Sequence, residues 1–171
     1  MRGRQLSFLP PPRLCHGGDI RKGKRKLARP IDPKRPIHVT MRAVQARGEW
    51  SMLRKGTKSR IFVLVHEAAD KYGVKVHRFE NVGNHLHLLV RAPSRREFQS
   101  FLRVITGGIA FLVTGTRKGQ KLGHRFWDKL AYSRIVSWGR EFRAIETYFI
   151  KNLLESLGIP REDFWLRLVP K

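Results

Sequence analysis

The sequence predicts an α+β domain, a ferredoxin-like antiparallel sheet with helices packed on it, in the order β-α-β-β-α-β-α. Three observations predict it. Short alternating runs near residues 37–43, 74–80 and 85–91 read as strands, and the last two are joined by the short turn Asn81-Val82-Gly83-Asn84, as in an antiparallel hairpin. Runs with helical spacing fall at 58–72, 94–114 and 140–157. A length of 171 residues with 41% hydrophobic content suits one core of this size.

Each element has a local reason. Ile37 to Ala43 is β-branched and alternating, a first strand. Ser51 is a candidate N-cap for the helix that follows. That helix spaces Ile61, Phe62, Val65, Ala68, Ala69 and Tyr72 along one side, and Gly73 stops it. Val74 to Glu80 and His85 to Arg91 are the hairpin strands, the second closed by Pro93. Ser94 with Glu97 forms a capping box for a helix to about Thr114, whose apolar side is Phe98, Phe101, Leu102, Ile105, Ile109 and Leu112. Gly107 and Gly108 inside it cost about 1 kcal/mol each against alanine. Residues 126–137 are extended, with a fourth strand around 131–136. The final helix, 140–157, buries Ile145, Phe149, Leu153 and Leu157, flanked by Ile150 and Leu154, and ends at Gly158 and Pro160.

Residues 1–36 read differently. Six prolines and several glycines break every periodicity, so this segment is expected to be a basic arm, with little fixed structure until a partner binds, ahead of a domain at 37–171. The arm carries 11 Lys+Arg against two acids, +9 of the total net charge of +23. The remaining +14 lies on the domain, so the whole chain is suited to a polyanion, above all nucleic acid. Arg25 and Lys26 in the arm, and Arg117, Lys118, Lys121 and Arg125 in and beside the loop 116–123, are the candidate DNA contacts. No apolar run reaches the ~18–20 residues of a membrane span, and no signal peptide is read at the N-terminus. The lone Cys15 leaves no internal disulfide and no cysteine zinc site, which fits a reducing, cytoplasmic setting.

Two groups of side chains carry chemistry. His85 and His87 lie at i and i+2 of a strand, so both imidazoles share one face while Leu86 turns to the other. Such a pair suits a divalent metal but needs a further ligand. On the last helix, Tyr148 and Asn152 are one turn apart on the shoulder of the apolar stripe. There a tyrosine holds its hydroxyl at a cleft, and an asparagine offers an amide oxygen to a metal. Taken together on a basic domain, a metal site and an adjacent tyrosine meet the needs of phosphodiester cleavage through a covalent phosphotyrosine. His38, on the first strand, faces the sheet or a neighbour. Tyr72 and Tyr132 are rival nucleophiles: Tyr72 reads as core, and Tyr132 has no amide at helical spacing. Asp128 reads as a structural or supporting acid.

At these residues the chain resembles the HUH-type single-tyrosine transposases of the IS200/IS605 type, and within them the REP-associated tyrosine transposases. Gly83 to Val90 is similar to that family's histidine–hydrophobic–histidine strand, Ile37 to Arg42 to its first strand, and Phe126 to Val136 to the segment before its catalytic helix. Tyr148 and Asn152 fall where the family has its nucleophile and a Gln or Asn metal ligand. The resemblance covers residues 37–158. It implies metal-dependent cleavage and rejoining of single-stranded DNA at imperfect hairpins in transposition, in the cytoplasm at the nucleoid. It further implies Mg²⁺ or Mn²⁺ on His85, His87 and Asn152, attack by Tyr148, and often a homodimer, with a monomer also compatible. Leu153 stands where many relatives have proline. Two other readings stay open on the residues alone: a non-catalytic hairpin-binding protein of the same fold, and a metal nuclease using water, with Tyr148 structural.

Overall fold

A computed structural model describes residues 14–21, 27–116, 123, 125–156 and 158–160. Its five strands are β1 (Cys15–His16), β2 (Ile37–Arg42), β3 (Lys75–Asn81), β4 (His85–Arg91) and β5 (Tyr132–Ile135). Its three α-helices are α1 (Thr57–Lys71), α2 (Arg95–Thr114) and α3 (Arg140–Ser156). The strands form one antiparallel sheet in the order β1-β5-β2-β4-β3. Without β1, the order is fourth-first-third-second along the chain, the ferredoxin-like arrangement. Among the described residues, no helix is long and apolar enough to cross a membrane.

Strand parity divides the residues between two layers. Ile37, Val39 and Met41 stand opposite Val90, Leu88 and Leu86, and this face packs on α1 and α2 through Ile61, Val65, Phe98, Phe101 and Ile105. The other face carries His38, Thr40 and Arg42 opposite Leu89, His87 and His85. Helix α3 covers part of it, with Ile145 and Phe149 packed on Leu89 and Val136. The strands are therefore sandwiched, and the two histidines of β4 face α3.

The helix boundaries follow local chemistry, with one correction. Ser94 caps α2 as expected, accepting from Arg96 N at 3.1 Å and donating to Glu97. Ser51 does not cap α1. The N-cap is Gly56, at φ 83°, while Ser51 Oγ accepts from Leu53 N inside the preceding turn. Gly108 has a packing reason: a Cβ there would lie 2.6 Å from Leu64 Cδ2, so the glycine lets α1 and α2 approach. Phe62 departs from the expected apolar side. It is 52% exposed and stacks on His66 instead.

The expectation of little fixed structure before residue 37 does not hold for the described part of that segment. Strand β1 pairs with β5, and Leu14 O accepts from Ile135 N. Arg29 is buried, donating to Ser133 Oγ and Ala131 O while its guanidinium lies 6.0 Å from the Phe98 ring. Its own carbonyl accepts from Arg95 Nε. Composition marks this stretch as irregular, but one buried guanidinium with two protein acceptors can still fix an irregular backbone.

Candidate active site

The hairpin places the first half of the site. β4 lies between β2 and β3, so His87 is flanked on its own face by Thr40 on one side and Glu80 on the other. His85 follows two residues earlier, its ring 6.2 Å from that of His87 and parallel to within 2°. The turn before β4 contributes a partner: His85 Nδ1 lies 2.6 Å from Asn84 Oδ1. An amide oxygen only accepts, so Nδ1 carries the proton and Nε2 keeps its lone pair. His87 Nδ1 lies 3.4 Å from Thr40 Oγ1, which is also 3.4 Å from His38 Nε2. The hydroxyl can accept from one ring and donate to the other.

Helix α3 supplies the second half. Phe149, 1% exposed, seats the helix on the sheet, with its ring 5.3 Å from His38 and 5.6 Å from His87. That anchor swings its neighbour Tyr148 over the histidines: the Tyr148 ring is 5.7 Å from His87 and edge-on to it at 88°. Tyr148 is itself 47% exposed. Asn152 follows one turn later and Glu155 almost one turn beyond that. A cleft of about 550 Å³ is lined by Thr40, Val82, His85, His87, Tyr148, Asn152 and Glu155.

The electrostatics favour neutral rings. Burial, reinforced by the neighbouring His38 and His85, pushes His87 down to about 4. Burial and then Arg134 bring His38 to about 4. His85 is lowered by burial and by Arg42, with Asp128 pulling the other way. Neutral imidazole is the form that ligates a metal.

Among the described residues, no three His, Cys, Asp or Glu cluster closely enough to hold a metal ion. The donors in this cleft are different in kind: two imidazoles and the Asn152 amide oxygen. Both histidines also show the supporting contact typical of ligating imidazoles, one Nδ1 against an amide oxygen and one against a hydroxyl. This set fits a divalent ion that completes its shell with substrate or water oxygens.

The structure thus brings four of the sequence-predicted residues, His85, His87, Tyr148 and Asn152, into one cleft. Arg125 is not among its lining. It borders a separate cavity of about 570 Å³ between α2 and residues 125–131. Arg25, Lys26, Arg117, Lys118 and Lys121 lie outside the described residues. Tyr72 packs against the α1/α2 core, as expected. Tyr132 stands opposite Thr40 on β5 and does not line the cleft. Asp128 holds the loop to β2 through Val44 N and Arg42. Sequence reasoning passed over Thr40 and Glu155 and left His38 undecided. Glu155 was accessible to it, because position i+7 from Tyr148 repeats the same helix face. Thr40 and His38 needed the register of β2 against β4.

One antiparallel sheet with paired histidines on β4 and a tyrosine-bearing helix laid across them defines the protein as an α+β sandwich with a polar cleft on its α3 face. Residues 37–152 match the family model described as "Transposase IS200 like", and the chain belongs to that family. Among solved structures it is similar to a chain from Deinococcus radiodurans R1 described as a transposase. That match has 16% identity and a TM-score of 0.46, covering 68% of this chain and 88% of the other. A comparison with curated proteins finds no match.

Proposed function

We propose that this transposase cleaves and rejoins single-stranded DNA at imperfect hairpins by a covalent phosphotyrosine route. The observation that carries the reading is the convergence of Tyr148, His85, His87 and Asn152 on one cleft of a basic domain. In this reading His85, His87 and Asn152 hold Mg²⁺ or Mn²⁺, which when bound polarises the scissile phosphate. Tyr148 Oη attacks phosphorus and gives up its proton. The phosphorus–oxygen bond to the departing strand breaks, and that oxygen leaves as a hydroxyl. One ester replaces another, so an incoming strand's hydroxyl can reverse the step without an external energy source. Tyr148 suits the role because its ring is held beside His87 while nearly half its surface stays open to a substrate.

The basic segment 1–36 and the loop residues Arg117, Lys118, Lys121 and Arg125 are assigned to DNA contact beside this domain, on the strength of their charge. The REP-associated subtype, a homodimer and a place at the nucleoid complete the reading. Incubating the protein with hairpin DNA and Mn²⁺ should give a protein–DNA band that survives denaturation. Tyr148→Phe should fold, bind DNA and give no such band. Cleavage without the band would favour water as the nucleophile, and hairpin binding with no cleavage would favour a binding protein.

A further inference from the structure

The face that carries Tyr148 has a second constellation at its other end. Trp138 sits in the turn before α3 and is 47% exposed. Its ring is held from two sides. Phe142 lies beneath it at 5.0 Å and 36°, and His77 meets it edge-on at 5.4 Å. Its Nε1–H donates to Lys34 O at 2.7 Å, so the polar edge of the indole is satisfied by protein. What stays open is apolar ring surface, fixed in orientation, and fixing it in advance removes an ordering cost on binding.

The nearby acids are engaged by other cations, Glu146 by Arg78 and Glu141 by Arg134, while Lys75 and Arg91 lie outside those pairs. His77 is the extra residue in a register shift between Val76 and Arg78, a bulge that turns its side chain toward Trp138 and Phe142. Its Nε2 is buried without a hydrogen-bond partner. Lys75 and Arg91 stand directly opposite each other across β3 and β4, and both are exposed. Like charges in that arrangement repel. Among the described residues neither forms a salt bridge; the His77 pKa is lowered first by burial and then by these two cations, with Glu146 pulling the other way. By strand parity this pair lies on the α3 face, since Arg91 is two residues beyond Leu89. An anion set between the two would relieve the repulsion.

From this juxtaposition we infer a nucleotide subsite: Lys75 and Arg91 take a backbone phosphate of a DNA single strand, and the adjoining base stacks on Trp138. The inference rests on the proposed single-strand chemistry, whose strand would reach Tyr148 about ten residues, or roughly 15 Å, further along α3. The exposed indole supplies a π-face open to any base, so the subsite anchors the strand without reading its sequence. A duplex keeps its bases stacked inside and cannot use the indole in this way.

The test uses the full chain in EDTA, so that binding is measured without cleavage, with fluorescent oligothymidylate and anisotropy as the readout. Trp138→Ala should weaken binding roughly 10-fold, and Trp138→Phe should recover part of the loss. Lys75→Gln with Arg91→Gln should lower the slope of log affinity against log salt by about 0.7, one phosphate on a single strand. Both cations are exposed, so this variant carries the test if Trp138→Ala fails to fold. Unchanged affinity and slope across these variants would overturn the subsite. An equal loss on a duplex of the same length would overturn the stacking. The denaturant-stable band with Mn²⁺ is scored separately. A band with unchanged binding sinks the subsite alone, whereas lost binding in Trp138→Ala without a band in the parent sinks the tyrosine chemistry alone.

Discussion

Toward α1 and α2 the sheet presents Val39, Met41, Leu86, Leu88 and Val90, each 2% exposed or less. Toward α3, the same two strands present His38, Thr40, Arg42, His85 and His87. The alternating residues of β2 and β4 thus serve two purposes. One parity builds a close-packed apolar layer, and the other holds neutral imidazoles beside a tyrosine. The α3 layer has its own small core, Leu89, Val136, Ile145 and Phe149, enough to seat the helix but not to cover the cleft. The difference teaches that stability and chemistry are separated here by single residue steps along a strand. A substitution's consequence should therefore follow its parity more closely than its distance from the cleft.

The largest contrast comes from Tyr148→Phe. It removes one oxygen from a half-exposed ring, so stability should shift by no more than about 0.5 kcal/mol while adduct formation is abolished. Retained adduct would break the assignment of α3 to the chemistry. On the opposite face, Leu88→Ala, one residue beyond His87, should cost about 2–5 kcal/mol of unfolding free energy through lost burial and a cavity. Denaturant titration measures it, and a cost under about 1 kcal/mol would mean that the two layers are not energetically distinct.

Arg29 extends the comparison to the N-terminal segment. Its buried guanidinium, pushed down to about 10 by burial, joins Ser133 and Ala131 to Phe98. Arg29→Ala would leave Ser133, 1% exposed, without that donor and should cost roughly 1–3 kcal/mol. Removing residues 1–36 would then weaken the fold as well as reduce charge. A truncated chain as stable as the parent, by thermal unfolding, would return the segment to the role of a plain electrostatic arm.

The frame of the domain was legible because its signals are local. Alternation in β2 and the Ser94–Glu97 cap of α2 each lie within one element, and the structure reproduces them; the apolar stripe of α3 is reproduced at Ile145 and Phe149, whereas Leu154 is buried in place of the half-buried Leu153, and Leu157 lies outside the described residues. His85 with His87, and Tyr148 with Asn152, were legible as pairs because each has a fixed period on its own strand or helix. What joins the pairs was not legible. Which face α3 covers depends on Phe149 docking against Leu89, a contact between positions sixty residues apart. The buried state of Arg29 depends on Ser133 and Phe98, and no residue near Arg29 announces them. Phe62 was misread for the converse reason: helical spacing gives a stripe, but where α2 actually contacts α1 decides its edge.

Thr40 tests the polar face at finer scale. Thr40→Val keeps the volume and removes the hydroxyl between His38 and His87. If that hydroxyl sets the proton on His87 Nδ1, Mn²⁺ affinity should fall by about 10-fold, the low end for a supporting contact, while Thr40→Ser retains it. Titration of Mn²⁺ in the absence of DNA gives the answer. Equal affinity in Thr40→Val would leave the hydroxyl as lining only.

The remaining contrast concerns acid, and its sign follows from burial. His38 and His87 are both held near 4 in the folded chain, against about 6.5 for an exposed imidazole. As pH falls below 6.5 the unfolded chain takes up protons that the native chain refuses, so stability drops with decreasing pH. The loss should accumulate between about 6.5 and 4 and level off below that, as far as these two groups are concerned. His38→Asn removes one of the two titrating rings. It also removes a charge that opposes protonation of His87, so the metal-free variant should lose less stability than the parent over the same interval. Thermal midpoints of both proteins at pH 7 and pH 5 measure the difference. An identical acid shift would mean that His38 is open to solvent in solution, and that the stacked histidines are not sealed beneath Phe149 as the α3 layer requires.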